Sequence, residues 1–352
     1  MFYLRDKMTS PANIRLKLFS PIHTQRVCLG AENPKTPPIT LDLDVTRRCN
    51  NHCVHCTCPQ KEHTDLPLEL GKSVISQFAD FGGKGLTFTG GGEPLLNKDL
   101  SRFLEHSQQS GLDNGLITNG RTLTQKLARK IIPFLRWLRV SIYTDNAPQV
   151  WQNIAKAQSL AAQLNPGLYL SASYLVFEDD PKAFQQAADL AQQSGISLQF
   201  KPGRVAAPEL SCGTKYELDK LLKAKDSIDS LKTTHPHGPH IAITRFAELL
   251  ERNYHLCYGQ QWTTALGADG LLYLCCEHKY DPRFLLGDLR TSTFQEIWES
   301  THRREVLKII ITWFSCFPGC KLHEINNALA SKTVAQLLEE HRDVLAPFPN
   351  FI

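Results

Sequence analysis

Between residues 39 and 201 the apolar positions alternate between two periods. Residues 39–45, Ile-Thr-Leu-Asp-Leu-Asp-Val, alternate apolar and polar and predict a strand. Residues 66–81 carry apolar side chains at helical spacing and stop at Gly82-Gly83. The cycle then repeats. Strands are expected at 85–89, 116–118, 138–143, 168–177 and 197–201, and helices at 99–110, 124–132, 150–164 and 181–193. Glu178-Asp-Asp180 before Pro181 reads as the N-cap of the last helix. Six strand–helix rounds imply an α/β fold with a parallel sheet and right-handed crossovers. Six is fewer than the eight that close a full barrel, so a partial (β/α)6 TIM-like barrel over 39–203 is expected.

The flanks read differently. Residues 1–38 contain five prolines and little helical period, and are expected to be a lead-in without a domain of its own. A connecting segment, 204–256, holds a lysine-rich helix at 216–231 and the loop His235-Pro-His237-Gly-Pro-His240. Residues 257–323 form a small cysteine-rich module. In it Asp269-Gly270, followed by Leu271-Leu-Tyr-Leu274, marks a hairpin turn feeding a strand. A final amphipathic helix at 328–342 and a tail complete residues 324–352.

Composition narrows the class. Over 352 residues the formal net charge is +4, with no basic arm or acidic tail; the charge neither shows nor excludes a nucleic-acid footprint, and a nucleic-acid partner is not the expectation. The first residues lack a signal-peptide core, and the longest apolar stretch, 307–317, is too short for a bilayer. The expected location is cytoplasmic, with no membrane partner. Eleven cysteines in such a compartment point to metal or redox chemistry, because thiols there stay reduced.

Cys49-x3-Cys53-x2-Cys56 follows the first strand directly. Three thiolates in one loop can hold one face of a [4Fe–4S] cubane, which takes four ligands when fully held by protein. One iron is then open to a substrate or cofactor. A zinc site closed by His52, His55 or Cys58 fits the same spacing.

Other positions add a resemblance. With the cysteine triplet after strand one and Gly91-Gly92-Glu93-Pro94 after strand two, the chain resembles the radical S-adenosylmethionine (radical SAM) superfamily over about residues 39–201. Leu116-Ile-Thr-Asn119-Gly120 and Arg139-Val-Ser141-Ile142 look like that family's third and fourth strand endings. The resemblance implies a SAM-binding [4Fe–4S] cluster on Cys49, Cys53 and Cys56, with S-adenosyl-L-methionine as cofactor. It implies that Gly91 and Gly92 let the backbone approach the cofactor's ammonium and that Glu93 accepts from it. It places His55 beside the adenine, and carries over Asn119, Ser141 and Ser173 as contacts to methionine and ribose. In the family a reduced cluster splits the sulfonium into methionine and a 5′-deoxyadenosyl radical, which takes a hydrogen atom from an unactivated carbon.

The C-terminal module resembles the twitch type, the shortened relative of the SPASM domain. Cys257-x12-Gly270-x4-Cys275, then Gly287-Asp-Leu … Glu296-Ile-Trp298 and Cys316-x3-Cys320 carry the likeness. It implies one auxiliary [4Fe–4S] cluster on Cys257, Cys275, Cys316 and Cys320; the spacing alone also fits a structural zinc knuckle. Cys212 reads either as a buried apolar residue or as the thiol hydrogen donor of a radical SAM epimerase. Cys276 is a lesser candidate for that role. Cys58 is expected to be an unliganded loop residue and Cys28 a core residue. Lys201 and Arg204 could meet an anionic group.

The expected activity is a redox reaction or epimerisation on a sugar, aminocyclitol or similar small molecule, possibly anionic. An electron donor such as flavodoxin or ferredoxin would serve it. The short lead-in favours that over the alternative, a ribosomal-peptide maturase, because peptide-modifying relatives commonly carry an N-terminal recognition domain. A non-catalytic zinc-binding interaction protein is the second alternative.

Overall fold

The computed structural model describes residues 14–53, 56, 58, 63–143, 147–206, 214–234, 241–243, 246, 253–312, 320–343 and 346–352. Six parallel strands, β1 (Thr40–Asp44), β2 (Gly85–Thr89), β3 (Asp113–Thr118), β4 (Trp137–Ile142), β5 (Tyr169–Val176) and β6 (Ser197–Pro202), lie side by side in sequence order. The crossover helices Leu68–Asp80, Leu100–Gln109, Gln125–Ile131, Ala147–Leu164 and Pro181–Ser194 connect them. This is the expected partial barrel. Asp180 caps the last of these helices, accepting from the Ala183 N–H at 3.0 Å.

Beyond β6 come β7 (Val205–Ala206) and β8 (Thr214–Lys215), which pair with each other, and β9 (Ile241–Ile243), which extends the main sheet beside β6. The C-terminal hairpin joins the same sheet at its other end. Strand β10 (Thr263–Leu266) runs parallel to β1, and β11 (Leu271–Tyr273) and β12 (Leu285–Asp288) follow antiparallel, giving ten strands in order β12-β11-β10-β1-β2-β3-β4-β5-β6-β9. The cysteine-rich segment is therefore built onto the barrel edge through backbone hydrogen bonds.

Period-two alternation decides what faces inward. Leu41 and Leu43 of β1 join the core under the helices, with Phe78, Leu86, Phe88 and Phe103. Thr40, Asp42 and Asp44 point the other way and are all buried. A parallel strand buried on both faces is ordinarily apolar throughout. Here its inner face is charged, so the barrel interior is polar.

Two expectations about the flanks, for Cys28 and for the helix at 328–342, are corrected. The lead-in is helical at Ile14–Leu18 and Thr24–Glu32, and Leu18, Phe19 and Val27 form a second core with Trp262, Leu322, Ile325 and Ile352. Tertiary burial supplies what local period lacks. Cys28 is exposed on the second of these helices, not a core residue. The expected helix at 328–342 is two helices, His323–Ser331 and Val334–Glu340. Lys332 is extended, and Thr333 starts a new helix with a capping box to Gln336, because threonine satisfies orphan N–H groups better than it fills a helix interior.

The tail closes the barrel end away from the cysteine loop. The Thr40 hydroxyl donates to the Asn350 carbonyl at 2.9 Å, and Asn350 Nδ2 donates to Asp113 at 2.8 Å. Phe351 meets Trp137 edge-on, with ring centroids 5.3 Å apart.

Candidate active site and cysteine centres

At the C-terminal end of β1 the chain leaves as a loop whose base is tied. Thr46 bridges Asp65, and the Arg47 N–H donates to the Thr64 carbonyl at 2.7 Å. Arg48 forks onto both Asp65 oxygens at 3.0 and 2.6 Å and donates to the Leu96 carbonyl at 2.9 Å. The Glu93 N–H donates to the Arg48 carbonyl at 2.7 Å. The cysteine loop and the Gly90–Pro94 loop are thus one clamped unit.

Cys49, Cys53 and Cys56 sit together in that loop. Burial pushes the Cys49 thiol up, and Glu93, Cys53 and Cys56 add to it while the Asn51 N–H, 3.4 Å from Cys49 Sγ, opposes. Burial also raises Cys56, with Cys53 adding to it. Crowded thiols held above their ordinary range are poor company for one another until a cation gathers their charge. Tyr143, unremarked by sequence, donates its hydroxyl toward Cys53 and is itself raised, first by burial and then by that thiol.

Glycine at 90–92 is dictated by close approach. A Cβ on Gly90 would lie 1.7 Å from the Gly92 carbonyl oxygen, and one on Gly92 would lie 2.2 Å from that of Arg48. On Gly91 it would meet Tyr280 at 2.7 Å. Glu93 is 2% exposed. One oxygen accepts from the Leu95 N–H at 3.0 Å and the Thr118 hydroxyl at 2.6 Å, the other from the Asn119 N–H at 2.7 Å. Burial raises Glu93, and these donors hold it back. A carboxylate accepts about four hydrogen bonds, so one position on its second oxygen remains for a ligand. Pro94 opens the short helix that Glu93 caps.

Asn119, at the end of β3, donates to Asn50 at 2.8 Å and approaches Cys49 Sγ at 3.9 Å. Ser141 and Ser173 stand opposite each other on β4 and β5. His55 and Cys212 lie outside the described residues, as do Cys316, His235, His237 and His240.

Cys257, Cys275 and Cys320 come together, and burial first, then Cys257, raises Cys275 well above an ordinary thiol. Asn326 Nδ2 donates to Cys257 Sγ at 3.6 Å. Among the described residues no three His, Cys, Asp or Glu side chains converge as a single-ion site. A four-iron cluster is wider than one ion and is held from a wider ring of thiolates. Cys49, Cys53 and Cys56 could hold one such cluster, and Cys257, Cys275 and Cys320 could supply three thiolates to another.

Sequence reasoning missed what joins the two groups. From Cys275 the chain passes along the inner face of β1. Lys279 donates to Asp44 at 2.5 Å, and the Tyr280 hydroxyl donates to Asp44 at 2.9 Å. Lys321 donates to Asp42 at 2.5 Å. Lys279 is raised by Asp44 against its own desolvation and stays charged. Cys58 lies beside this pair, pushed up by burial to about 11. Tyr280 holds a left-handed φ of 65°, with Arg47 4.2 Å over its ring. Such strain in a bulky residue persists only where surroundings over-determine it. Arg204, expected at an anion-binding rim, instead pairs with Glu277 at 2.9 Å. The one available signal was Asp42 and Asp44 on the inner face of a strand; their lysine partners lie more than 230 residues away.

Comparison with known proteins defines the class. Residues 43–162 match the Radical SAM superfamily, and residues 257–321 match the SPASM family, described as an iron-sulfur cluster-binding domain. The chain belongs to the radical SAM superfamily. Within it, it is of the kind that carries a C-terminal SPASM domain, and these domains imply a SAM-binding [4Fe–4S] cluster, S-adenosylmethionine and auxiliary iron–sulfur chemistry. It is 35% identical over 91 residues to Fe-coproporphyrin III synthase of Methanosarcina barkeri, covering 25% of this chain and 23% of that one. It is 25% identical over 173 residues to PqqA peptide cyclase of Granulibacter bethesdensis, covering 46% of each. These matches span from about a quarter to about half of the curated relatives' length. In fold it resembles Streptococcus suis SuiB bound to precursor peptide SuiA, with a TM-score of 0.63, 11% identity, and 79% of this chain and 67% of that one covered. It also resembles anSMEcpe with bound AdoMet and Kp18Cys peptide, with a TM-score of 0.58, 16% identity, and coverage of 78% and 84%. No helix among the described residues is long and apolar enough to cross a membrane.

Proposed function

We propose that this chain is a radical SAM maturase that modifies a peptide. The observation that carries the radical SAM part is the clamped pair of loops, which sets three thiols beside a glycine-walled approach and a carboxylate with one acceptor position left. In this reading Cys49, Cys53 and Cys56 hold a [4Fe–4S] cluster. Gly91, Gly92, Glu93, Asn119, Ser141 and Ser173 bind S-adenosylmethionine. Cys257, Cys275 and Cys320, with Cys316, hold the auxiliary cluster. When bound, cluster and cofactor supply a 5′-deoxyadenosyl radical able to take a hydrogen atom from carbon.

The chain's own residues bind and orient. Glu93 orients the cofactor's amino group while fixing β3 to the glycine loop. Lys279 and Tyr280 both donate to the buried Asp44 and so fix the segment after Cys275 to the inner face of β1.

The relatives support the peptide alternative over the sugar or aminocyclitol reading, since several are named PqqA peptide cyclase. The coproporphyrin relative covers 25% of the chain, whereas one of the several PqqA peptide cyclase relatives covers 46% of it. A uniformly deuterated lysate fraction tests the class. Deuterium should appear in 5′-deoxyadenosine, and protease treatment of the fraction should abolish that transfer. Transfer that survives proteolysis would return the substrate to the small-molecule class.

A further inference from the structure

Asn326 lies on the helix His323–Ser331 and is 1% exposed. Its side chain is fixed at both ends. The Gly259 N–H, which can only donate, is 2.8 Å from Asn326 Oδ1. The amide nitrogen must therefore face the other way, where Cys257 Sγ lies 3.6 Å off. The contact cannot easily relax. A Cβ on Gly259 would sit 2.8 Å from Leu322 Cβ, so backbone and helix are already at close approach. The result is a buried, oriented N–H aimed at a sulfur that belongs to the Cys257, Cys275 and Cys320 group.

We infer that Asn326 is a positioning residue that sets the reduction potential of the C-terminal cluster through an N–H···S hydrogen bond to Cys257. This rests on the reading of Cys257 as a cluster ligand. Reduction adds negative charge to a cluster and its sulfurs, and a hydrogen bond to sulfur stabilises the more negative form. Asn326 thus holds the potential above the value the same thiolates would give without it. It acts through Cys257 and touches no reacting atom.

The test uses the full chain, reconstituted anaerobically with iron and sulfide and titrated with dithionite while EPR follows each cluster. Asn326→Asp keeps an oxygen for the Gly259 N–H but turns a second oxygen toward the sulfur. Its C-terminal cluster should shift to a lower midpoint. Roughly a tenfold smaller reduced-to-oxidised ratio at fixed potential is expected, about 59 mV for one electron. The N-terminal cluster should be unmoved. An unchanged midpoint at full iron occupancy would overturn the inference. If the variant loses its cluster, ENDOR on the reduced protein carrying Cys49→Ala, Cys53→Ala and Cys56→Ala and labelled with [15N]asparagine decides instead: coupling to an amide nitrogen supports the bond, and its absence overturns it. A Cys257→Ala protein that keeps all its iron and both EPR signals would defeat the ligand reading itself, a result distinct from either.

Discussion

Glu93 leaves no place for a neutral amide. Each of its oxygens accepts from a backbone N–H, of Leu95 and of Asn119. Glu93→Gln must point an NH2 group at one of those donors, whichever way the amide is turned. The expected cost is about 1–3 kcal/mol, the price of an unsatisfied buried donor, read as a lower urea midpoint. A midpoint equal to the parent's would show that the network is looser than the distances imply. Gly91 is limited by a side chain rather than by backbone. Gly91→Ala should weaken cofactor cleavage by displacing Tyr280, and Tyr280→Ala in the same protein should restore room for the methyl group. If the double variant shows no recovery in 5′-deoxyadenosine formation, Tyr280 is not what Gly91 accommodates.

The element that ties the molecule together is the segment from Cys275 to Tyr280 laid along β1. Its anchor, Lys279 on Asp44, is an ion pair whose members are 3% and 0% exposed in their side chains. Removing one partner strands a buried charge, so Asp44→Asn should cost about 3–5 kcal/mol. Asp44→Asn with Lys279→Met should recover most of that in chemical denaturation. Costs that simply add would mean that the two residues do not act as a pair. The sequence made β1 itself legible, and likewise the six strand–helix rounds and the two cysteine groups, because these are written in local period and spacing. It could not show that β10 would pair with β1, nor that Lys279 and Lys321 would find Asp44 and Asp42. Those contacts join residues far apart in the chain, and lysine spacing carries no trace of them. Cys28 and the 328–342 segment depart from expectation for a different reason: Cys28 is exposed on its helix, and Thr333 caps a new helix inside a stretch that a single amphipathic period spans.

At the scale of the whole molecule, the N-terminal helices, the C-terminal helices and the tail close the barrel from below, and Lys17 is buried within that closure. Burial, helped by Arg139 and Lys321, lowers its pKa to about 7. The folded protein therefore holds fewer protons than the unfolded chain between about pH 7 and the ordinary lysine range. Stability from this group is full above that range and is lost as pH falls toward 7, by at most about 1.4 kcal/mol per pH unit. Lys17→Met should flatten that slope in a comparison of Tm across pH 7 to 10. An unaltered slope would show that Lys17 is protonated in the fold throughout.

The central claim is that three thiolates after β1 hold a cluster with one iron open to S-adenosylmethionine. Anaerobically reconstituted protein, given dithionite and S-adenosylmethionine, should hold roughly eight irons per chain and form 5′-deoxyadenosine. Replacing Cys49, Cys53 and Cys56 together with alanine should abolish that product and remove about half of the iron. Iron-loaded parent protein that leaves S-adenosylmethionine intact, or a triple variant that still cleaves it, would contradict the account.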